Sequence, residues 1–143
     1  MQLSPNFSLH ELLRSQTASR KKFDEQFNPP SNVVDNLVTL CTKLLEPVRE
    51  LYGAPITISS GYRCQRTNKA VGGKPNSQHL TGEAADIDFG TRETNLRLFE
   101  LIQEWHKRGF LEFDQLLNEF DGDWVHISYK RIGKNRNQTL NIT

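Results

Sequence analysis

The spacing of the apolar residues changes near Gly53, and this change constrains the fold more than any other feature of the sequence. From Ser31 to about Leu51 the apolar residues recur at helical intervals, and Pro47 should kink or divide that helix. After Gly53, the segment PITISS alternates apolar and polar residues, as a half-buried strand does. The chain is therefore expected to begin with helices and to continue as a sheet.

Local signals place the remaining elements. Ser8 and Glu11 have the spacing of a capping box at the start of a short helix, and Thr91 should cap a helix that reaches about Lys107. The Asp-Gly pair at 121–122 is a strong signal for a hairpin turn. The expected strands cover residues 55–60, 84–89, 113–117 and 124–129.

This order of elements predicts a single α+β domain over residues 1–143, with a small, mainly antiparallel sheet, N-terminal helices and one inserted helix. Its expected parts are a helical segment over 1–54, a sheet with the site over 55–131, and a polar tail over 132–143 that frays towards its end. The hydrophobic fraction of 36% is low, but it is enough for one core.

The charge balance gives no reason to expect a nucleic-acid or membrane partner. The formal net charge is +1, and no apolar run approaches the length of a membrane span. The N-terminus has neither the charged nor the apolar region of a signal peptide, so we expect synthesis in the cytoplasm. Cys41 and Cys64 match no zinc motif, and a reducing compartment favours two free thiols.

One stretch, SQHLTGEAADIDF at 77–89, places candidate metal ligands at the edge of the predicted sheet. His79 precedes the second strand and Asp86 lies within it, while Gly82 lets the backbone turn between them. His126, in the last predicted strand, is a third candidate. Two imidazoles and one carboxylate on a sheet face make a catalytic zinc set that leaves one tetrahedral position open for water.

Two further residues could complete a hydrolytic site. Asp123 lies three residues before His126, where it could act as a base for that water, and Arg63 leaves the first strand, where its cation could stabilise an oxyanion. On the residues alone an alternative stays open. A histidine in a strand is more often packed or solvated than a ligand, and an arginine after a strand is usually a surface charge.

Neighbouring polar and aromatic residues also have two interpretations. Asp88 shares the face of the carboxylate ligand and could support the ligands from behind. Asp121 is the rival of Asp123, although the glycine after it suits a turn. Trp124 and Tyr129 are expected to pack within the sheet rather than to bind a substrate.

Three segments in order, SGYR (60–63), SQHLTGEAAD (77–86) and WVHIS (124–128), resemble the zinc D-alanyl-D-alanine carboxypeptidase superfamily. That group has the hedgehog/DD-peptidase fold and includes the vancomycin-resistance D,D-dipeptidases and the phage L-alanyl-D-glutamate endopeptidases. Its signature is S-x-H-x-x-G-x-A-x-D, followed at a distance by acid-x-x-H, and the chain matches both parts. The resemblance covers about residues 55–128, and the N-terminal helices look like those of phage-encoded members.

The resemblance implies one zinc ion per chain and a set of site residues. These are the zinc ligands His79, Asp86 and His126, the general base Asp123, the transition-state stabiliser Arg63 and, as a substrate-contacting or supporting residue, Ser77. The base is an aspartate rather than a glutamate, which the pattern of the family permits but which shortens its reach. A serine at position 77 could equally cap a turn.

The resemblance also implies the function. We expect a zinc-dependent peptidase that hydrolyses a peptidoglycan stem-peptide bond involving D-amino acids, as an L-Ala-D-Glu endopeptidase or a D-Ala-D-Ala carboxypeptidase. A monomeric phage or prophage endolysin is expected, which reaches the cell wall through a holin-type release partner or as part of a virion. The alternative is a zinc-stabilised wall-binding or virion structural module without turnover. Asp123 separates the two, because such a module has no need of an acid at that position.

Overall fold

The computed structural model describes all 143 residues, and its first part is a set of helices beside a short hairpin. The hairpin pairs strand β1 (Gln2–Ser4) with strand β2 (Phe7–Ser8). The helical elements are α1 (Leu9–Leu13), α2 (Gln16–Lys21), a 3₁₀ turn (Asp24–Phe27), α3 (Ser31–Leu40), a π-helical turn (Cys41–Leu45) and α4 (Glu46–Tyr52).

The second part is a five-stranded sheet with three helical insertions. Its elements are β3 (Ile58–Ser60), α5 (Gln65–Ala70), a 3₁₀ turn (Gln78–Thr81), β4 (Ala84–Ile87), α6 (Arg92–Lys107), β5 (Gln115–Glu119), β6 (Trp124–Ser128) and β7 (Gln138–Ile142). The strand order is β3-β4-β6-β5-β7, and every neighbouring pair is antiparallel except β5 and β7, which are parallel. The predicted α+β class with a mainly antiparallel sheet is confirmed.

The long predicted helix is divided, as the position of Pro47 suggested. A π-helical turn separates α3 from α4, and Pro47 lies in the first turn of α4, where its missing N–H matters least. Gly53 ends α4 in the left-handed region at φ 80°. The helix start differs from expectation, because Pro30 occupies the cap position before Ser31 and provides no side-chain hydrogen bond.

A single cluster of 26 buried residues joins the helices to one face of the sheet. Leu37 and Leu44 from the N-terminal helices share it with Ile102 of α6 and with Val125 and Ile127 of β6, and all five are fully buried. The opposite face of the central strands is therefore the one left for polar residues. No helix has both the length and the hydrophobicity needed to cross a bilayer.

The expected fraying tail is instead an ordered edge strand. β7 pairs in parallel with β5 from Gln115 opposite Gln138 to Glu119 opposite Ile142. The prediction of a fraying tail was wrong because the residues of β7 show no apolar alternation that would indicate a strand. The carboxylate that holds the tail, Asp114, lies more than twenty residues earlier in the chain. β5 also begins two residues later than expected, since Phe113 is buried in the core before the strand starts.

A fully buried carboxylate, Asp114, anchors that tail. It accepts hydrogen bonds from the backbone N–H of Arg136 at 2.9 Å and from the Nε and Nη2 of the same guanidinium at 3.0 and 2.6 Å. It also accepts a hydrogen bond from Gln78 Nε2 at 3.0 Å. Burial alone would raise the pKa of Asp114, but the hydrogen bonds from Arg136 and Gln78 lower it to about 2.

Replacing this carboxylate should destabilise the protein in a pH-dependent way. We expect Asp114→Ala to lower the free energy of unfolding by about 3 kcal/mol near neutral pH, because the partners of a buried ion pair are left unmatched. A group whose folded pKa is depressed stabilises above its unfolded pKa, so the difference from wild type should shrink as pH falls from about 4 towards 2. Urea denaturation of both proteins at several pH values measures this difference in the free energy of unfolding. Asp35→Asn, at an exposed position, is the control, and an equal loss in both variants would contradict the anchoring role.

Candidate metal centre

The strand register brings two of the predicted ligands side by side. Asp86 of β4 lies directly opposite His126 of β6, and Ser60 of β3 lies opposite Asp86 on its other side. Paired residues of an antiparallel sheet point to the same face. Since Ala85 and Ile127 occupy the core-facing positions, Asp86 and His126 project from the face that the core leaves free.

His79 reaches this face from the 3₁₀ turn that precedes β4. Ser77 starts the turn by accepting a hydrogen bond from the N–H of His79 at 3.1 Å, and Gly82 ends it at φ 76°. His79 Nδ1 donates to the carbonyl of Gly61 at 2.6 Å, so the lone pair of Nε2 is free. Ser77 thus caps the turn, the second of its two predicted roles.

The loop that supplies this carbonyl is held by the N-terminal helices. A side chain at Gly61 would place its Cβ 2.4 Å from the carbonyl oxygen of Leu12, so the close approach requires glycine. The fully buried Gln26 donates to the carbonyl of Tyr62 at 2.8 Å and accepts from the N–H of Cys64 at 2.9 Å. Sequence reasoning missed Gln26, because a glutamine in a polar stretch carries no signal of burial.

The three donor atoms lie close enough together to hold one metal ion. Asp86 Oδ1 is 3.0 Å from His126 Nδ1 and 3.2 Å from His79 Nε2, and all three atoms lie within 4.8 Å of one another. Ligands bound tetrahedrally at zinc distances are about 3.3 Å apart. His79 Nε2 is also buried without a hydrogen-bond partner. The donor set therefore fits a zinc-like ion.

Asp86 is ionised in these surroundings. Burial alone would raise its pKa, but the interactions of Asp86 with the imidazoles of His79 and His126 outweigh burial and lower it. Side-chain exposure is 2% for His79 and 11% for both Asp86 and His126, so bulk water screens these interactions little. A buried anion between two imidazoles is a strong attractor for a divalent cation.

Arg63 lies beside the ligands on a groove of about 560 Å³ that also includes Asp86 and Trp124 in its wall. The Nε of Arg63 is buried and has no hydrogen-bond partner. Burial lowers the pKa of Arg63, whereas the charges of Asp86 and Glu119 raise it. Arg63 therefore presents an unused donor next to the candidate ligands.

The two aromatic residues of this region differ in environment. Trp124 is half-buried, forms part of the groove wall and packs edge-on against Phe120 at 5.4 Å between ring centroids. Tyr129 packs against the main core. The expectation of sheet packing therefore describes Tyr129 better than Trp124.

Asp123 is not brought together with the ligands. It lies on the turn before β6, its side chain is 49% exposed, and its Oδ1 is 3.4 Å from Nη2 of Arg92 on α6. The groove wall does not include it. The physical reason is that successive side chains of a strand point to opposite faces of the sheet. Trp124 and His126 are two residues apart and share a face, whereas position 123 falls on the other one. The same guanidinium pairs with Asp121 Oδ2 at 3.2 Å.

Asp88 supports the turn that carries Asp123 rather than the ligands. Its Oδ1 accepts hydrogen bonds from Gly90 N–H at 2.8 Å and from Asn95 Nδ2 at 2.9 Å. The buried Asn95 also donates to the carbonyls of Gly122 at 3.0 Å and Asp123 at 3.1 Å. The proposed support of the ligands by Asp88 is thus replaced by a link between α6 and the β5–β6 turn.

Comparisons with known proteins agree with this geometry. The sequence profile of the family described as peptidase M15 matches residues 5–128 of the chain. A stretch of 69 residues is 41% identical to the zinc D-Ala-D-Ala carboxypeptidase of Streptomyces albus G. That stretch is 48% of the chain but 26% of the relative, so the chain spans about a quarter of the length of the curated relative it matches.

Metal analysis tests the ligand set directly. Protein purified without chelators and supplied with zinc should hold about one equivalent, and His126→Ala should weaken zinc binding by more than about a hundredfold, because it removes one of three ligands. His10→Ala, at an exposed position of α1, should bind zinc as wild type does. Full zinc retention by His126→Ala in a chelator competition would exclude His126 as a ligand.

Proposed function

The chain belongs to the peptidase M15 family, and from this we propose that it is a zinc-dependent peptidase acting on a peptidoglycan stem-peptide bond that involves D-amino acids. The observation that supports the proposal best is the buried group of His79, Asp86 and His126 beside the free donor of Arg63. The name of the carboxypeptidase relative supports the choice of zinc and of substrate.

The three donors would hold the metal, which when bound would supply a Lewis acid and lower the pKa of a coordinated water. Neighbouring residues of the chain orient the three ligand side chains. The Gly61 carbonyl holds the ring of His79 so that Nε2 points at Asp86, and the β4–β6 register places His126 on the other side of that carboxylate. The site is thus built before any substrate arrives.

Arg63 is proposed to hold the oxyanion that develops as water attacks a peptide carbonyl. Its Nε has no partner to give up, and it lies in the wall of the same groove as Asp86. Partial burial strengthens its interaction with an anion, because less water competes for the guanidinium.

Asp123 is proposed as the general base because it occupies the acidic position three residues before His126. It would take a proton from the attacking water and return it to the leaving amine. Its carboxylate would have to turn from Arg92 towards the groove. The two side chains are 49% and 53% exposed, so that ion pair holds it weakly.

The groove supports an anionic peptide as substrate. Arg14 and Arg63 both contribute to its wall, together with Thr57 and the edge strand β3. Stem peptides carry free carboxylates at D-Glu and at the terminal D-Ala, so either an L-Ala-D-Glu endopeptidase or a D-Ala-D-Ala carboxypeptidase fits two arginines. The phage or prophage endolysin role, with a holin-type partner or a virion, rests on the likeness of the N-terminal helices to phage-encoded members.

A second candidate is a zinc-stabilised wall-binding or virion module without turnover. The observation in its favour is that Asp123 pairs with Arg92 instead of facing the ligands. One assay separates the candidates. Zinc-loaded protein is incubated with purified peptidoglycan, and new termini are identified by mass spectrometry. Free D-Ala indicates a carboxypeptidase, new L-Ala and D-Glu termini indicate the endopeptidase, and no new terminus from zinc-loaded protein supports the module.

Arg63→Ala should fold and keep its zinc but lose about a hundredfold or more in turnover, because one oxyanion donor is removed. The measurement is the rate of release of new termini together with zinc content. Arg97→Ala, at an exposed position of α6, is the control and should cleave at the wild-type rate. If Arg63→Ala cleaves at the wild-type rate, Arg63 has no part in the reaction.

Asp123→Asn should keep zinc content and thermal stability, since Asp123 is not a proposed ligand, while turnover falls by roughly two to four orders of magnitude. Asp121→Asn is the matched control, because both carboxylates pair with Arg92 on the same turn. The assignment fails if both variants cleave peptidoglycan at the wild-type rate.

A further inference from the structure

A carboxylate that the sequence motifs do not include, Glu119, lies on the metal-binding face of the sheet. Glu119 ends β5 directly opposite Trp124, and two residues earlier Leu117 lies opposite His126. Because opposed residues share a face and every second residue repeats it, Glu119 projects from the same side as His126 and Asp86. It is the acidic residue of β5 on that side.

The carboxylate of Glu119 is half-buried, yet no hydrogen bond or ion pair holds it. Two other carboxylates held against the fold are well partnered. Asp114 accepts bonds from Arg136 and Gln78, and Glu46 accepts bonds from Ser4 Oγ at 2.6 Å and from Asn6 N–H at 2.7 Å. A carboxylate that gives up solvation without gaining a partner is unfavourable for stability and is typical of functional sites.

The charges of the site residues affect the pKa of Glu119. Burial raises this pKa, the charges of His126, Lys74 and His79 lower it, and the charge of Asp86 raises it. In the other direction, the charges of Asp86 and Glu119 raise the pKa of Arg63. The charge of Glu119 therefore reaches Arg63, whereas Asp123 pairs with Arg92 on the helix side.

We propose that Glu119 is a second catalytic carboxylate of this site, which donates a proton to the leaving amine of the peptide bond. The inference rests on the proposed peptidase function and divides the proton transfer between two carboxylates. Water adds to the carbonyl carbon and loses a proton to the base, the C–N bond breaks, and the nitrogen takes the proton of Glu119. Exchange with solvent then returns a proton to Glu119 and removes one from the base, so the net reaction is hydrolysis.

The burial of Glu119 supports this assignment. A general acid must carry its proton near the working pH, and burial favours the protonated form of a carboxyl group. The carboxylate of Asp123 is exposed and lies 3.4 Å from the guanidinium of Arg92, and it keeps the proposed role of the base. Two carboxyl groups in different surroundings can thus have different roles in one reaction.

Sensitivity to the leaving group tests the proposal. The pentapeptide L-Ala-γ-D-Glu-L-Lys-D-Ala-D-Ala, which contains both candidate bonds, is compared with the analogue that has an ester in place of the amide that wild type cleaves. An ester leaves as an oxygen anion and needs less help from an acid than an amine does. We expect Glu119→Gln to lower kcat on the amide by about a hundredfold or more, and on the ester by less than about tenfold.

Glu112→Gln, at an exposed position just before β5, is the matched control and should behave as wild type. Zinc affinity by chelator competition should be the same in all three proteins. The assignment would be overturned by any of four results for Glu119→Gln. These are an equal loss of kcat on amide and ester, an unchanged kcat on both, an increase in KM alone, and a loss of zinc. If Glu119→Gln does not fold, Glu119→Asp replaces it and must show the same difference between amide and ester. Wild type that binds zinc but cleaves neither compound would refute the proposed function instead.

Discussion

The hydrogen bond from His79 Nδ1 to the carbonyl of Gly61 joins the two parts of the molecule at the metal centre. The carbonyl belongs to a loop that α1 and Gln26 hold from the N-terminal side, through bonds such as Tyr62 N–H to Leu12 O at 2.8 Å. The imidazole belongs to a turn that leads into β4. This contact fixes which nitrogen of His79 carries the proton and directs Nε2 towards Asp86. The N-terminal helices are therefore structural components of the site.

The sheet separates stability from chemistry by its two faces. On one face the central strands bury apolar side chains such as Ile87 and Val125 in the core. On the other face the same strands place Asp86 and His126, in register, towards the groove. Because the side-chain period of a strand is two, a shift of β6 by one residue would exchange the two sets. The core thus fixes the register, and the register fixes the distance between two ligands.

Partial burial of the charged groups is unfavourable for folding and useful for binding. Asp86 and the two histidines interact in surroundings with little water, where a divalent cation gains more from them than it would at the surface. Arg63 has a buried Nε without a hydrogen-bond partner, and the carboxylate of Glu119, on the same face of the sheet as His126, is in no hydrogen bond or ion pair. Unpaired polar groups of this kind are rare in folded proteins and are concentrated where a ligand completes them.

The sequence by itself determined the α+β class and the family and pointed to the candidate ligands, because hydrophobic period and motif spacing are local properties. It also placed the caps Ser8 and Thr91, which act within one helical turn. Only the tertiary structure decided what depends on contacts between distant segments. These are the strand formed by the polar tail, the burial of Gln26, the pairing of Asp123 with Arg92 and the direction of Glu119. No local pattern encodes them, because each depends on which strand or helix a remote part of the chain packs against.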